Sequence, residues 1–110
     1  MQLPNCDNAY IPPAKLAEYL LSETHAVGKS KAKFFRTLGF NETNSGDLEH
    51  QLLAIAQTEP VTKVLSSPYG TKYVVDGLIK TPDGNSVQVR TVWIVEEDED
   101  RPRFVTAYPG

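Results

Sequence analysis

Two different periodicities divide the chain at about residue 60. In residues 12–60 the apolar positions recur at intervals of three and four, the spacing of amphipathic helices. From Val61 onward apolar and polar positions mostly alternate, and turn residues interrupt that alternation three times. The pattern predicts one domain over residues 1–110, with an extended N-terminal arm at 1–11, a helical half at 12–60 and a sheet at 61–110.

The helical half contains two to three short helices by this pattern. They are expected over residues 13–22, Ser30–Leu38 and Asp47–Gln57. Proline can open a helix but not continue one, so Pro12-Pro13 suits the start of the first helix. Gly39 is well placed as the residue that ends the second helix, and Pro60 closes the third.

Four strands are expected in the second half. They span Val61–Ser67, Thr71–Thr81, Ser86–Glu97 and Arg103–Tyr108. The links between them are too short for the crossover that a parallel pair requires. In the third strand Val89, Thr91 and Trp93 share one face, with Val92 and Ile94 opposite, as in a central strand. The predicted fold class is α+β, with the helices on one face of a four-stranded antiparallel meander sheet.

Composition and charge exclude several function classes. The formal net charge of -3 argues against a broad electrostatic grip on nucleic acid or a membrane surface, so an anion site requires a local basic cluster. With Cys6 as the single cysteine and two distant histidines, the sequence predicts no disulfide, no metal site and no cofactor. The acidic run Glu96–Asp100 lacks the spacing of a calcium loop. Without an export signal or membrane span, a cytoplasmic location is expected.

A basic cluster lies between His25 and Arg36, at the start of the predicted second helix. Lys31 falls on the same helical stripe as Phe34 and Phe35, in the first turn. A cation there opposes the helix dipole, which is a reason to consider an anion or phosphate site. Two simpler interpretations stay open: Lys31 lies along the aromatic pair with its ammonium in water, and His25 has a capping or packing role.

Polar residues on the last two strands form a second group of candidates. They are Arg90, Thr91, Arg103, Thr106 and Tyr108. An arginine in a strand interior requires a partner. That partner is either Asp76 across the sheet or a bound phosphate.

The chain resembles a family of small bacterial proteins known as a domain of unknown function, DUF6883. The matching elements are Leu3-Pro4-Asn5, His25-x-x-Gly28-x-x-Lys31-Ala32-x-x-Phe35, Leu38-Gly39, Tyr69-Gly70, Val92-Trp93-Ile94 and Pro102-Arg103-Phe104-Val105-Thr106-Ala107-Tyr108-Pro109. Related sequences are similar to C-terminal modules of polymorphic toxins. The predicted layout is also similar to the fold shared by barnase, colicin E5, colicin D and RelE, which are metal-independent ribonucleases.

The resemblance implies a toxin-type, metal-independent endoribonuclease with RNA as substrate and a cognate antitoxin or other small protein as partner. His25, Lys31 and Tyr108 are the expected catalytic residues. Arg90, Thr91, Arg103 and Thr106 are expected to bind the substrate. The alternative is a non-catalytic interaction or regulatory domain that binds a protein partner through a sheet edge or an exposed aromatic patch. The sequence predicts no oligomeric state.

Overall fold

The computed structural model describes residues 1–16 and 29–110, and gives only the backbone of residues 29–31. Within them it contains three helices and a four-stranded antiparallel sheet, which confirms the predicted α+β class. The helices are α1 (Pro13–Lys15), α2 (Lys29–Thr37) and α3 (Ser45–Thr58). The strands are β1 (Val61–Ser67), β2 (Gly70–Lys80), β3 (Ser86–Glu96) and β4 (Arg103–Pro109).

The helix ends follow local sequence signals. The first helix begins at Pro13 as predicted, and the part of that prediction from residue 17 onward lies outside the described residues, as does the connector. Gly39 adopts φ 102°, which glycine tolerates, so the amides of Gly39 and Phe40 bond back to Arg36 and Phe35 and close α2. The third helix begins at Ser45, two residues earlier than predicted.

The sheet is the predicted meander, in the order β1-β2-β3-β4 with every neighbouring pair antiparallel. Its register places Asp76 opposite Arg90, and Arg90 opposite Tyr108. A bulge in the pairing of β3 with β4 adds one residue to β4, because Val92 pairs with Thr106 while Trp93 pairs with Phe104.

One face of the sheet packs against the helices. The hydrophobic core joins strand residues of that face to α2, α3 and the N-terminal segment. Its strand members are Val75, Ile79, Val89, Trp93, Phe104 and Ala107, and its helix members include Phe35, Leu48, Leu52 and Ile55. The rings of Trp93 and Phe104 meet edge to face, with centroids 5.3 Å apart. The opposite face, whose side chains alternate with the core positions along each strand, is here called the outer face.

The N-terminal segment differs from the extended arm that the pattern predicts. It contains a 3-10 turn at Cys6–Asn8, and Leu3 is buried in the core. Tyr10 forms a parallel bridge beside Arg103, accepting a 2.9 Å hydrogen bond from the amide of Phe104. These contacts attach the segment to the edge of β4 that does not pair with β3, so the segment is part of the packed structure.

Candidate functional site

Every charged side chain of the four strands lies on the outer face. Side chains alternate along a strand, and the register keeps this alternation aligned across the sheet. The basic members are Lys63, Lys72, Lys80, Arg90 and Arg103, and the acidic members are Asp76 and Glu96. Five cations against two anions give this face a local positive surplus, although the chain as a whole carries -3.

Arg90 is the central fixed cation of the outer face. Its Nε and Nη2 donate to the two carboxylate oxygens of Asp76 at 2.8 Å and 3.0 Å, a two-pronged geometry that holds the guanidinium plane. Hydrogen bonding to Asp76 and its charge raise the pKa of Arg90, and Tyr108 adds to this. The Arg90 side chain stays 42% exposed, so it has a surface available to an anion.

Thr106 carries an unsatisfied hydroxyl on the same face. It lies opposite Val92, in the row next to the Arg90–Tyr108 pair. Its Oγ1 is shielded from solvent and has no hydrogen-bond partner among the residues that the structure describes. Buried hydroxyls are nearly always paired, so this oxygen retains hydrogen-bonding capacity next to the row that carries Arg90.

Thr91 occupies a different environment from the other predicted substrate-binding residues. It lies on the core face with 0% exposure, where Oγ1 donates to the Val75 carbonyl at 2.6 Å. The same oxygen accepts a 2.8 Å hydrogen bond from the indole Nε1 of Trp93. Both of its hydrogen bonds are internal, and this burial argues against direct substrate contact by Thr91.

Arg103 and Glu96 form a second polar pair farther along the outer face. Nη2 of Arg103 donates to Oε1 of Glu96, and each side chain is about one-third exposed. A cavity of about 300 Å³ opens beside the pair. Its lining is completed by Tyr69, Lys72, Ile94 and Val105. The outer face therefore presents two polar centres, one at Arg90 and one at Glu96–Arg103.

The two predicted residues from the helical half are placed only in part. His25 lies outside the described residues, and Lys31 is described by its backbone alone, in the first turn of α2. Helix α2 packs against β4, the strand that carries Thr106 and Tyr108. The structure thus brings Arg90, Thr106 and Tyr108 together on one face, with Arg103 farther along it.

Sequence reasoning missed Tyr69, Lys72 and Glu96. Tyr69 falls in the link between the first two predicted strands and Glu96 near the end of the third, and the bulge that sets the position of Arg103 in β4 has no local sequence signature. The alternation of side chains along each strand was a usable signal, because it places Lys72 and Glu96 on the face that also carries Arg90. No three histidine, cysteine, aspartate or glutamate side chains converge as a metal-binding group within residues 1–16 and 29–110. Over the same residues, no helix is long and apolar enough to cross a membrane.

Comparison with known proteins confirms the family. Residues 2–110 match the model of the domain of unknown function DUF6883, and the chain belongs to that family. No curated protein matches the sequence. Among solved structures, a chain of the contact-dependent growth inhibition toxin–immunity protein complex from Klebsiella pneumoniae 342 shares the fold. Its TM-score is 0.70 at 16% identity, covering 94% of this chain and 95% of that chain.

Proposed function

We propose that this protein is a toxin-type module of a toxin–immunity pair, and that it cleaves RNA on the outer face of its sheet without a metal ion. The observation that carries the proposal is the placement of all strand-borne charge on that face, with five cations against two anions. A local basic surface is the electrostatic footprint that nucleic-acid backbones require. The fold shared with a chain of a toxin–immunity complex supports the toxin class.

The reaction is transesterification with release of the 3′ fragment, which leaves with a new 5′-hydroxyl end. The 2′-oxygen bonds to phosphorus while the bond from phosphorus to the 5′-oxygen breaks. A base takes the 2′-hydroxyl proton, and an acid protonates the departing 5′-oxygen. The products are a 2′,3′-cyclic phosphate and a 5′-hydroxyl, so atoms and charges balance without a co-reactant.

The residues of this chain can be assigned to these steps. Arg90, held by Asp76, provides fixed positive charge for the phosphorane that develops in the transition state. Tyr108 lies directly opposite Arg90 and acts as the acid, and the unpaired hydroxyl of Thr106 positions the phosphate. His25 is the base because imidazole titrates near neutral pH. Lys31 adds charge from the first turn of α2, and Arg103 binds the RNA farther along the face.

The test is cleavage of a labelled single-stranded RNA by the purified protein with excess chelator present. We expect cleavage with cyclic phosphate ends, and a loss of about 10²–10⁴-fold for His25→Ala or Tyr108→Phe, the usual effect of removing an acid or base. Lys31→Ala should slow cleavage, while Lys33→Ala, which alters an exposed lysine of the same helix, serves as the matched control. Full activity of His25→Ala would remove His25 from the mechanism, and cleavage that stops with chelator would contradict the metal-independent route.

A protein partner is the second function that a specific observation favours. Strand β1 is an edge strand that exposes Val64 and Leu65 with a single charged residue, Lys63. An unprotected apolar edge invites strand addition by another protein. We expect Leu65→Lys to abolish capture of a co-expressed cognate inhibitor while RNA cleavage persists, measured by co-purification. An inhibitor that binds Leu65→Lys as well as the unaltered chain would exclude this edge.

The proposed site of action is the cytoplasm, where the RNA substrate lies. Inducible expression in a bacterial host should therefore arrest growth and degrade RNA. Lys31→Ala should relieve both effects.

A further inference from the structure

The cavity at the Glu96 end of the outer face has the composition of a nucleobase site. Its volume of about 300 Å³ is at the lower end of the range for small-molecule pockets. Ile94, with 3% exposure, and Val105 supply the apolar part of its lining. Tyr69, which is 75% exposed, adds an aromatic ring on which a base can stack.

The polar pair in this cavity can be compared with the hydrogen-bonding edges of the four RNA bases. Glu96 offers two carboxylate oxygens, and Arg103 satisfies only one of them. Guanine is the RNA base that presents two N–H donors side by side, at N1 and N2, and these match a carboxylate. Its O6 and N7 acceptors match an arginine fork. Adenine, cytosine and uracil each lack this combination of paired donors and an adjacent acceptor.

We propose that this cavity is a guanine-binding subsite. Tyr69 stacks on the base, Glu96 accepts from N1–H and N2–H, and Arg103 donates to O6. The proposal rests on the proposed function for its biological meaning, because the subsite then sets where the RNA is cut. Arg103 pairs with Ile94, four residues along β3 from Arg90, which is roughly 13 Å at ~3.3 Å per residue. At this separation, the guanine in the subsite belongs to a nucleotide close to the cleaved bond, and its own phosphate need not be the one that is cleaved.

The experiment separates base recognition from catalysis. The full chain, labelled with ¹⁵N, is titrated separately with the 5′-monophosphates of guanosine, adenosine, cytidine and uridine. We expect guanosine monophosphate to bind at least tenfold more tightly than the other three. Its amide shifts should centre on Gly70, Ile94, Arg103 and Val105. No base preference, or shifts centred elsewhere, would overturn the proposal.

Two variants and one control test the assigned contacts. Glu96→Gln replaces one acceptor by a donor and should remove at least tenfold of the preference for guanosine over adenosine monophosphate. Glu97→Gln makes the same chemical change at an exposed neighbour and should leave the preference intact. Tyr69→Leu keeps an apolar side chain in an exposed turn and should weaken binding of all four nucleotides. If Glu96→Gln is folded, as checked by its thermal unfolding, and its preference for guanosine monophosphate is unchanged, then Glu96 is not part of the site.

The failures of the two proposals can be distinguished. Guanosine monophosphate binding in a chain that cleaves no RNA would refute the ribonuclease proposal and leave the subsite standing. Cleavage of RNA without preference for guanosine near the cut, combined with no mononucleotide binding, would refute the subsite and leave the ribonuclease proposal standing.

Discussion

Two threonines on adjacent strands, Thr91 and Thr106, provide a matched test of which face of the sheet contributes to stability and which to RNA binding. Thr91 lies in the core with both hydrogen bonds of its hydroxyl made to Val75 and Trp93. Thr106 lies on the outer face, and its shielded hydroxyl has no hydrogen-bond partner within the described part of the chain. Replacing each by valine removes a hydroxyl while nearly conserving volume, so cavity formation contributes little to either result.

The expected cost for Thr91→Val follows from the groups it leaves behind. The buried indole N–H of Trp93 loses its acceptor, which costs about 1–3 kcal/mol of stability. Loss of the hydrogen bond from Thr91 to the Val75 carbonyl costs about 0.5–1.5 kcal/mol more. The free energy of unfolding should therefore fall by about 1.5–4.5 kcal/mol, a decrease in Tm of roughly 4 °C for each kcal/mol at this chain length. Thr106→Val removes an unpaired buried hydroxyl, so its Tm should be unchanged or raised.

The assay combines thermal and urea unfolding with binding of a 2′-O-methyl RNA that cannot be cleaved. Thr91→Val should lower stability and leave the affinity of the folded protein unchanged. Thr106→Val should lower affinity and spare stability. In a Trp93→Phe background, the cost of Thr91→Val should fall by about 1–3 kcal/mol, because no indole N–H is left without an acceptor. Equal destabilisation by the two valine substitutions would contradict this expectation, as would a cost of Thr91→Val that is undiminished in the Trp93→Phe background.

Three further substitutions test the fold and its electrostatics. Gly70→Ala places a Cβ 2.3 Å from the Val95 carbonyl oxygen at φ +150°, so it should destabilise by more than about 1 kcal/mol in urea unfolding. Phe35→Ala, which empties a fully buried position, should cost about 3–5 kcal/mol by the same measurement. The Thr81 hydroxyl lowers the pKa of Asp83, so this carboxylate stabilises the fold above about pH 4 and the effect is lost as pH falls through the lowered pKa. Thr81→Val should raise that pKa in a ¹³C NMR titration, and an unchanged pKa would contradict the assignment.

The strands were predictable within about one residue because their signals are local. Turn residues mark each reversal, and alternation marks each strand. The register is a tertiary property, and the bulge that brings Arg103 level with Ile94 has no local signature. Thr91 shows the consequence: the alternation already grouped it with Val89 and Trp93, yet its polar side chain made it a substrate-binding candidate.

The residues that carry the family resemblance mostly build the fold. Leu3 and Trp93 are buried in the core, Gly39 ends α2 with a positive φ, and Gly70 closes against the Val95 carbonyl. Asn5 adopts a left-handed conformation and donates to the Asp100 carbonyl at 2.7 Å, fixing the N-terminal segment to the turn before β4. The match therefore predicts the architecture well, while the register decides which charged residues of the outer face are neighbours.

The proposed function requires single-stranded RNA to lie across the outer face of the sheet. Mapping backbone-amide shifts of the ¹⁵N-labelled chain with a 2′-O-methyl RNA containing one guanosine tests this directly, since binding is seen without cleavage. We expect shifts along β3 and β4 from Arg90 and Tyr108 to Arg103, with α3 unaffected. Shifts confined to α3, or no shifts at saturating RNA and low salt, would contradict it.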